Sequence, residues 1–353
     1  MVVLFGAGAT RAAFVDQAPA PPIDADFLEV AARFKGRGTG RLAKQVTNDV
    51  FSLYRRIAGV GLEAYYRDIE TRLELGKFAK PRHKPKNWKL RTEQLDELVR
   101  RVLIHTTCSM EEGAATPRTS WIHEAILERV KSKDTLITFN YDTVIEESIP
   151  RSSSLWAPRD GYGLYVTGLT HNWAKKWLST HDMDETARSK IKLLKLHGSI
   201  NWRLNINNQV SLKQRPYVVR ARKGAPVFEK VAIVGPGWHK PVNRNPYRQV
   251  WKQTRDALDR CTTLAIIGYS LPETDLVAQA LFLEVVRERA AAKQFFRELH
   301  IADVSESVIN RVLDLFMPAL GPHGLIYRYS SAEELARTWS PKTTGREVRM
   351  GAS

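Results

Sequence analysis

Two short polar motifs carry the residue types of acid–base chemistry. Asn140 and Asp142 lie in the motif Thr138–Asp142, and His197 lies in the motif Leu196–Ser199; each motif comes at the end of a short apolar run. A histidine side chain can take a proton near neutral pH, and an asparagine can hold a water molecule or an amide. The pattern favours a site at which a nucleophile is held and deprotonated. The alternatives are an Asx turn at Asp142 and a structural histidine at 197.

Two glycine motifs and one acidic residue also follow apolar runs. Gly6-Ala7-Gly8-Ala9-Thr10 follows the first run, and Gly268 opens a glycine and hydroxyl loop that reaches Asp275. Glycines between a strand and a helix let backbone N–H groups approach a phosphate. Asp303 ends a further run, where an acidic side chain can hold a ribose hydroxyl. The alternatives are tight turns at the glycines and a helix cap at Asp303.

Six short apolar runs supply the elements that must position these motifs. They are rich in β-branched residues, which is typical of strands buried on both faces of a parallel sheet. The predicted strands are Val2–Phe5, Thr135–Phe139, Lys192–Leu196, Val231–Val234, Leu264–Ile267 and Leu299–Ala302. Helical patterns follow in Leu276–Arg289, with an apolar face at 276, 277, 280, 281 and 285, and in Ser305–Phe316. The alternation predicts an α/β fold with a Rossmann-like, doubly wound parallel sheet.

One long stretch interrupts this alternation. Residues from about 27 to 130 hold no convincing strand but contain the helical segments Gly61–Lys77 and Thr92–His105. The sequence therefore predicts a helical module over 27–129, inserted into a Rossmann core formed by 1–26 and 130–330. The polar residues 341–353 predict a mobile tail.

Composition and charge indicate a basic protein without a membrane span or a disulfide framework. The 353 residues correspond to about two domains, and no apolar run is long enough to span a membrane. The N-terminus lacks the pattern of a signal peptide, and two cysteines cannot form a disulfide framework, which predicts a cytoplasmic protein. The net charge is +16, and Arg203–Arg255 alone holds 12 basic residues and one acidic residue. Such a stretch favours docking to an acidic partner; a solvated basic surface is the alternative.

The five strand-end motifs, taken in their order along the chain, resemble the sirtuin superfamily. The stretches Thr138–Asp142, Lys195–Trp202 and Ile266–Asp275 are most similar to the divergent sirtuin-like domains of bacterial anti-phage systems. The segment from Asn245 to Leu258 is similar to the helix that precedes the last motif in those proteins. The resemblance extends from residue 2 to about 317.

The resemblance implies a substrate, NAD⁺, and roles for ten residues. Asn140 would position the attacking water or the nicotinamide-bearing ribose, and His197 would be the general base. The implied NAD-binding residues are Gly6, Ala7, Gly8, Thr10, Asp142, Gly268, Ser270 and Asp303.

The chain departs from the deacylating sirtuins between the histidine motif and the second glycine motif. Those enzymes carry two pairs of cysteines there for a structural zinc, whereas residues 199–267 contain only Cys261. A structural zinc needs four ligands, so we expect no metal and no conventional peptide groove. The sequence thus predicts an NAD⁺ hydrolase that releases nicotinamide and ADP-ribose.

The expected biological role and partners follow from the same resemblance. They are NAD depletion in antiviral defence and assembly as a homo-oligomer or with a partner such as a HerA-type ATPase, with nucleic acid involved only indirectly and no membrane. One alternative is a docking subunit of a HerA-type ATPase or of a nucleic-acid-guided assembly. A less favoured alternative is an NAD-dependent protein deacylase.

Overall fold

The computed structural model describes residues 1–76, 88–111, 114–150, 155–167, 169, 173–205, 207–212, 232–235 and 242–339. The strands are β1 (Val2–Phe5), β2 (Cys108–Glu111), β3 (Ala114–Pro117), β4 (Thr135–Thr138), β5 (Val166–Thr167), β6 (Lys192–Lys195), β7 (Trp202–Leu204), β8 (Val210–Leu212), β9 (Thr263–Ile267), β10 (Phe296–Ala302) and β11 (Leu320–Tyr329). The helices are α1 (Ala7–Ala13), α2 (Phe27–Ala32), α3 (Arg41–Tyr54), α4 (Leu62–Gly76), α5 (Trp88–Thr107), α6 (Trp121–Leu127), α7 (Val144–Ser148), α8 (Trp173–Thr180), α9 (Tyr247–Arg260), α10 (Leu276–Ala291), α11 (Glu306–Phe316) and α12 (Ala332–Trp339).

The central sheet has six parallel strands in the order β11-β10-β9-β1-β4-β6. Numbered along the chain and read from β6, this is the order 3-2-1-4-5-6 of Rossmann folds. The chain runs outward from β1 through β4 to β6, and then returns to the other side of β1 for β9, β10 and β11. The predicted fold class is confirmed, and the strand order reverses between β1 and β9.

Most predicted elements of the core are confirmed, and three details differ. Every residue of β1 and β4 is buried, which explains why their sequences are continuous apolar runs. The predicted strand Val231–Val234 is wrong for its described residues 232–234, because only Ile233 pairs, in an isolated bridge with Gly198. The edge strand β11 was not predicted, since Gly321, Pro322 and Gly324 interrupt its pattern and are tolerated at a sheet edge.

The third difference is the buried face of α10. The helix itself is confirmed, but Leu276 is 61% exposed, and the buried residues are Ala278, Phe282, Val285, Val286 and Arg289. Of the predicted face of α10, Val285 is buried and Val277 and Leu281 pack against the core, whereas Leu276 and Ala280 are exposed. In α11 the apolar residues at 308, 309, 312, 313 and 316 are all buried, as the pattern predicts.

Helices α2 to α5 pack around a second hydrophobic cluster. It extends from Phe27 to Val102 and is separate from the cluster that contains the central sheet. The hairpin of β2 and β3 overturns the prediction that residues 27–130 hold no strand. Helix α6 packs its Ile122 and Ile126 into the main cluster. The boundary of the inserted module at 129 stays a prediction.

Two sequence predictions fall largely or wholly outside the described residues. They concern the tail 341–353 and much of the basic stretch Arg203–Arg255, of which 206, 213–231 and 236–241 are not described. Within the described ranges, no helix combines the length and the apolarity needed to cross a membrane.

Candidate active site at the carboxyl ends of the central strands

The predicted motifs follow five strands of the central sheet at the edge where all its strands end. The two glycine motifs follow β1 and β9, which flank the point of reversal. The Asn140 and His197 motifs follow β4 and β6, and Asp303 follows β10. Doubly wound sheets bind ligands in the crevice outside this edge, at the reversal of strand order.

The glycines let the loops after β1 and β9 touch backbone to backbone. The N–H of Gly8 donates to the carbonyl oxygen of Gly268 at 2.9 Å, and the N–H of Gly6 donates to Ile267 at 2.9 Å. A Cβ on Gly268 would lie 2.2 Å from the backbone nitrogen of Ala9, and a Cβ on Gly8 would lie 2.9 Å from Gly268. The tight-turn interpretation is thus correct for these residues, and the turn brings the two loops together at the crevice.

This contact predicts a stability difference between two glycine variants. Gly268 has φ +60° and Gly59 has φ +70°, but nothing surrounds Gly59 within 4 Å. Alanine at either position costs about 1–2 kcal/mol because the left-handed backbone is strained. We expect Gly268→Ala to lose clearly more free energy of unfolding in urea than Gly59→Ala, since its Cβ must also push the two loops apart. Equal losses would show that the loops can separate at no cost.

Thr10, Asn140 and Asp142 form one buried hydrogen-bonded group. The hydroxyl of Thr10 donates to Asp142 Oδ2 at 3.0 Å and accepts from Asn140 Nδ2 at 3.1 Å. Asp142 Oδ1 accepts from the backbone N–H of Val144 at 3.0 Å, which confirms the Asx turn at the start of α7. The first glycine motif and the asparagine motif are therefore joined by side chains as well as by the sheet.

The hydrogen bonds of Asn140 fix the orientation of its carboxamide. Nδ2 also donates to the carbonyl oxygen of Gly6 at 2.9 Å, so both of its protons are used. A flipped amide would place Oδ1 against that carbonyl, which cannot donate. Asn140 therefore presents Oδ1 as its remaining acceptor, which is suited to a water molecule or a hydroxyl group.

His197 occupies the position on β6 that corresponds to Asn140 on β4. Thr138 and Lys195 are register partners, and each functional residue comes two positions later. The backbone carbonyl of His197 accepts from Val234 at 2.8 Å, and the ring of Phe139 meets the imidazole edge-on at 5.1 Å between centroids. Since neighbouring strands lie about 4.8 Å apart, the backbones at Asn140 and His197 follow neighbouring strands at the same level of the sheet.

Asp275 lies beside His197 and was not predicted as a functional residue. Its Oδ2 is 3.3 Å from His197 Nε2, and the two side chains are 1% and 6% exposed. Its Oδ1 accepts from the backbone N–H of Ala278 at 3.1 Å, so Asp275 is the N-cap of α10. The sequence signal for the cap, an aspartate directly before an apolar helical pattern, was present. The pairing with a histidine 78 positions earlier had no sequence signal.

A buried ion pair contacts the loop that follows β4. Lys195 Nζ lies 3.0 Å from Glu146 Oε1 with both side chains fully buried, and it also donates to the backbone carbonyl of Asp142. Glu146 accepts a second hydrogen bond from the hydroxyl of Tyr162 at 3.0 Å. Burial raises the pKa of Glu146, and the ammonium of Lys195 acts in the opposite direction.

Tyr141 connects the same loop to the helical cluster. Its ring packs against that cluster, and its hydroxyl donates to the carbonyl oxygen of Val234 at 2.7 Å. On α4, Tyr66 donates to Asp96 of α5, and burial raises the pKa of Asp96 to about 6. Tyr141, which lies between Asn140 and Asp142, thus packs against the cluster of helices α2 to α5.

Ser270 and Asp303 stand apart from this arrangement. Ser270 is exposed, and its carbonyl accepts from Arg311 at 3.0 Å. Asp303 accepts from the backbone N–H of Ser305 at 2.9 Å, as a turn before α11 does, and burial raises its pKa. In the described part of the chain, no hydrogen bond links either residue to the groups around Asn140 and His197. Ala7 is the first residue of α1.

The described residues contain no group of three or more histidine, cysteine or acidic side chains that could hold a metal. We expect purified protein to contain far less than one zinc per chain, because the sequence has only two cysteines and both are buried. Elemental analysis after dialysis against a chelator measures this, with the melting temperature before and after as a control. Stoichiometric zinc, or a lower melting temperature after chelation, would contradict the expectation.

The chain is similar to one family model and to solved structures. Residues 134–297 match the family model of the SIR2-like domain, so the chain carries a SIR2-like domain over these residues. The match includes the Asn140, His197 and Gly268 motifs. A solved structure of a Sir2 homologue, a serine-to-alanine mutant in complex with ADP-ribose, is similar at 16% identity and a TM-score of 0.41, over 98% of this chain and 94% of that one. No curated protein matches the chain.

Proposed function

We propose that this chain is a sirtuin-like NAD⁺ hydrolase that cleaves the bond between nicotinamide and ribose. The observation that carries the proposal is the placement of Asn140 and His197 at matching positions after the adjacent strands β4 and β6, with β4 paired to β1, which borders the reversal of strand order. The SIR2-like domain over 134–297 supports NAD⁺ as the substrate. The products are nicotinamide and ADP-ribose.

Cleavage of the bond between nicotinamide and ribose requires a site that stabilises positive charge. Cleavage develops positive charge at C1′ of the ribose, as at other glycosidic bonds. Nicotinamide leaves as a neutral molecule, so it needs no general acid. Carboxylates fixed nearby stabilise the developing charge, and Asp142 and Asp275 are both buried and held by backbone N–H groups. Their fixed positions fit this requirement.

Water is the nucleophile that these residues fit. Oδ1 of Asn140 accepts one proton of the water, and the imidazole of His197 takes the other as the oxygen attacks C1′. The new C–O bond forms as the C–N bond breaks, and the bonding pair leaves with nicotinamide. The proton on His197 then returns to solvent.

The dinucleotide would lie across the two glycine loops. Gly6, Gly8 and Gly268 hold the two loops in close contact at this edge, where a Cβ on any of them would push the loops apart. Ala7, Thr10, Ser270 and Asp303 complete the proposed NAD-binding residues, as the resemblance implies. Asp303, after β10, would lie on the adenosine side.

Antiviral NAD depletion in the cytoplasm is the biological role that we propose. It rests on the resemblance to sirtuin-like domains of anti-phage systems. A hydrolase of free NAD⁺ harms its own cell, so its activity has to be restrained, and a homo-oligomer or a HerA-type ATPase partner would supply the restraint. Protein deacylation is the weaker candidate, since the chain lacks the two cysteine pairs of deacylating sirtuins.

Chromatography of the products tests the proposal. Purified protein is incubated with NAD⁺, with and without candidate partners and nucleic acid. We expect nicotinamide and ADP-ribose in equal amounts. Addition of an acetylated peptide separates the alternatives, because a deacylase would form an acetylated ADP-ribose and only in the presence of peptide. Intact NAD⁺ under every condition would contradict both activities.

A further inference from the structure

We propose that Asp275 is a positioning residue that orients the imidazole of His197 and keeps a proton on its Nε2. The inference rests on the proposed function, in which His197 is the base. With Nε2 donating toward the carboxylate, the neutral ring carries its lone pair on Nδ1, the atom that would take the proton from water. Asp275 would also stabilise the imidazolium that then forms.

The carboxylate of Asp275 is rigid, which a positioning role requires. One oxygen caps α10 through Ala278, and the other faces His197 at 3.3 Å. The backbone N–H of Asp275 donates to Pro272 at 3.1 Å, and its carbonyl accepts from Gln279 at 3.0 Å. The side chain therefore reaches His197 from a helix end that is held by hydrogen bonds to the preceding loop and to the first turn of α10.

The imidazole is enclosed by aromatic rings rather than by water. Phe139 meets it edge-on, and Tyr269 stacks on Phe139 with 4.3 Å between centroids and 6° between planes. Tyr141 lies on another side, 6.2 Å away between centroids. Such burial disfavours an imidazolium, so a carboxylate at 3.3 Å has a strong influence on its protonation.

Among the described residues, the other titratable groups around His197 are neutral phenols or more distant acids. Burial raises the pKa of Tyr141 and of Tyr269 well above the usual range, so both hydroxyls keep their protons. Glu63 of α4 and Asp275 itself add to these shifts, and Asp96 of α5 adds to that of Tyr141. In the described part of the chain, Asp275 is the acidic side chain that contacts the ring.

The test is an NMR titration of His197 in the full-length protein without NAD⁺. Asp275→Asn removes the charge but keeps an oxygen that caps α10, and Asp275→Ser is a second variant that also caps. Glu273→Gln is the matched control, since it removes an exposed carboxylate two residues away. The spectrum of His197→Gln identifies the signal among nine histidines.

We expect the pKa of His197 to fall by about one unit or more in Asp275→Asn and to stay unchanged in Glu273→Gln. The Nε2 proton should also exchange faster in Asp275→Asn. If NAD⁺ is cleaved, the rate rises with pH as His197 loses its proton, and the midpoint of this rise should move to lower pH in Asp275→Asn. If Asp275→Asn and Asp275→Ser both fold and the pKa of His197 is unchanged in both, the positioning role of Asp275 is overturned, whatever the activity. If the pKa of His197 shifts in Asp275→Asn but the protein cleaves no NAD⁺, the interaction between Asp275 and His197 is supported and the proposed function is refuted.

Discussion

Replacing His197 with alanine should lower the rate of NAD⁺ cleavage at least about 100-fold. In the proposed mechanism the imidazole is the base, so alanine leaves the water without a group to take its proton. The backbone contacts of residue 197, including the hydrogen bond from Val234, do not involve the side chain and should persist. The measurement is the initial rate of nicotinamide release, with circular dichroism and melting temperature to verify the fold.

A histidine elsewhere on the protein provides the control. His323 is exposed on the edge strand β11, and His323→Ala should keep the wild-type rate. Asn140→Ala should lose activity to a similar extent because the acceptor for the water disappears. A folded His197→Ala protein that cleaves NAD⁺ at the wild-type rate would refute the mechanism.

The sequence alone places the motifs on one edge of the sheet. Continuous apolar runs identify β1 with both ends correct, and β4, β6, β9 and β10 with one end correct and the other within one to three residues. Parallel strands end on the same side, so polar residues directly after those strands must share that edge. This simple rule is sufficient to bring Asn140 and His197 together without knowledge of any side-chain contact.

The contacts that complete the site depend on packing that local patterns do not encode. Helix α10 is apolar around most of its surface, so its pattern allowed a face containing Leu276, whereas in the structure Phe282 and Val286 are buried beside the predicted Val285. The rotation of that helix also determines where its N-cap Asp275 lies. The pair with His197 could not be found from the sequence for this reason.

The helical cluster has a structural connection to the site that its sequence did not reveal. Tyr141 and Ile233 pack against it, and these two residues flank the loops that carry Asn140 and His197. A movement of α4 or α5 would therefore reach the loop after β4 through Tyr141. The same helices contribute Glu63 and Asp96, which act on the pKa of Tyr141.

Lys195→Met should lower the free energy of unfolding by about 3–5 kcal/mol, because it leaves a buried carboxylate without its counter-charge. Burial raises the pKa of Glu146 and Lys195 opposes this, so the folded pKa lies further above the unfolded value without Lys195, and Glu146 takes up a proton in the folded state. A group that binds more protons when folded stabilises the protein as the pH falls. The loss relative to wild type should therefore be smaller at pH 5 than at pH 8 in urea unfolding experiments.

Two further variants separate the ion pair from general effects of a lost lysine. Lys192→Met removes a half-buried lysine of the same strand, which donates to the carbonyl of Asp160 at 2.9 Å, and should cost only about 1 kcal/mol. Lys195→Met combined with Glu146→Gln removes both charges but keeps an acceptor for Tyr162, so part of the stability should return. If the double variant is no more stable than Lys195→Met, the uncompensated charge is not the cause of the loss. In that case the bond from Lys195 to the carbonyl of Asp142 is what holds the loop after β4 in place.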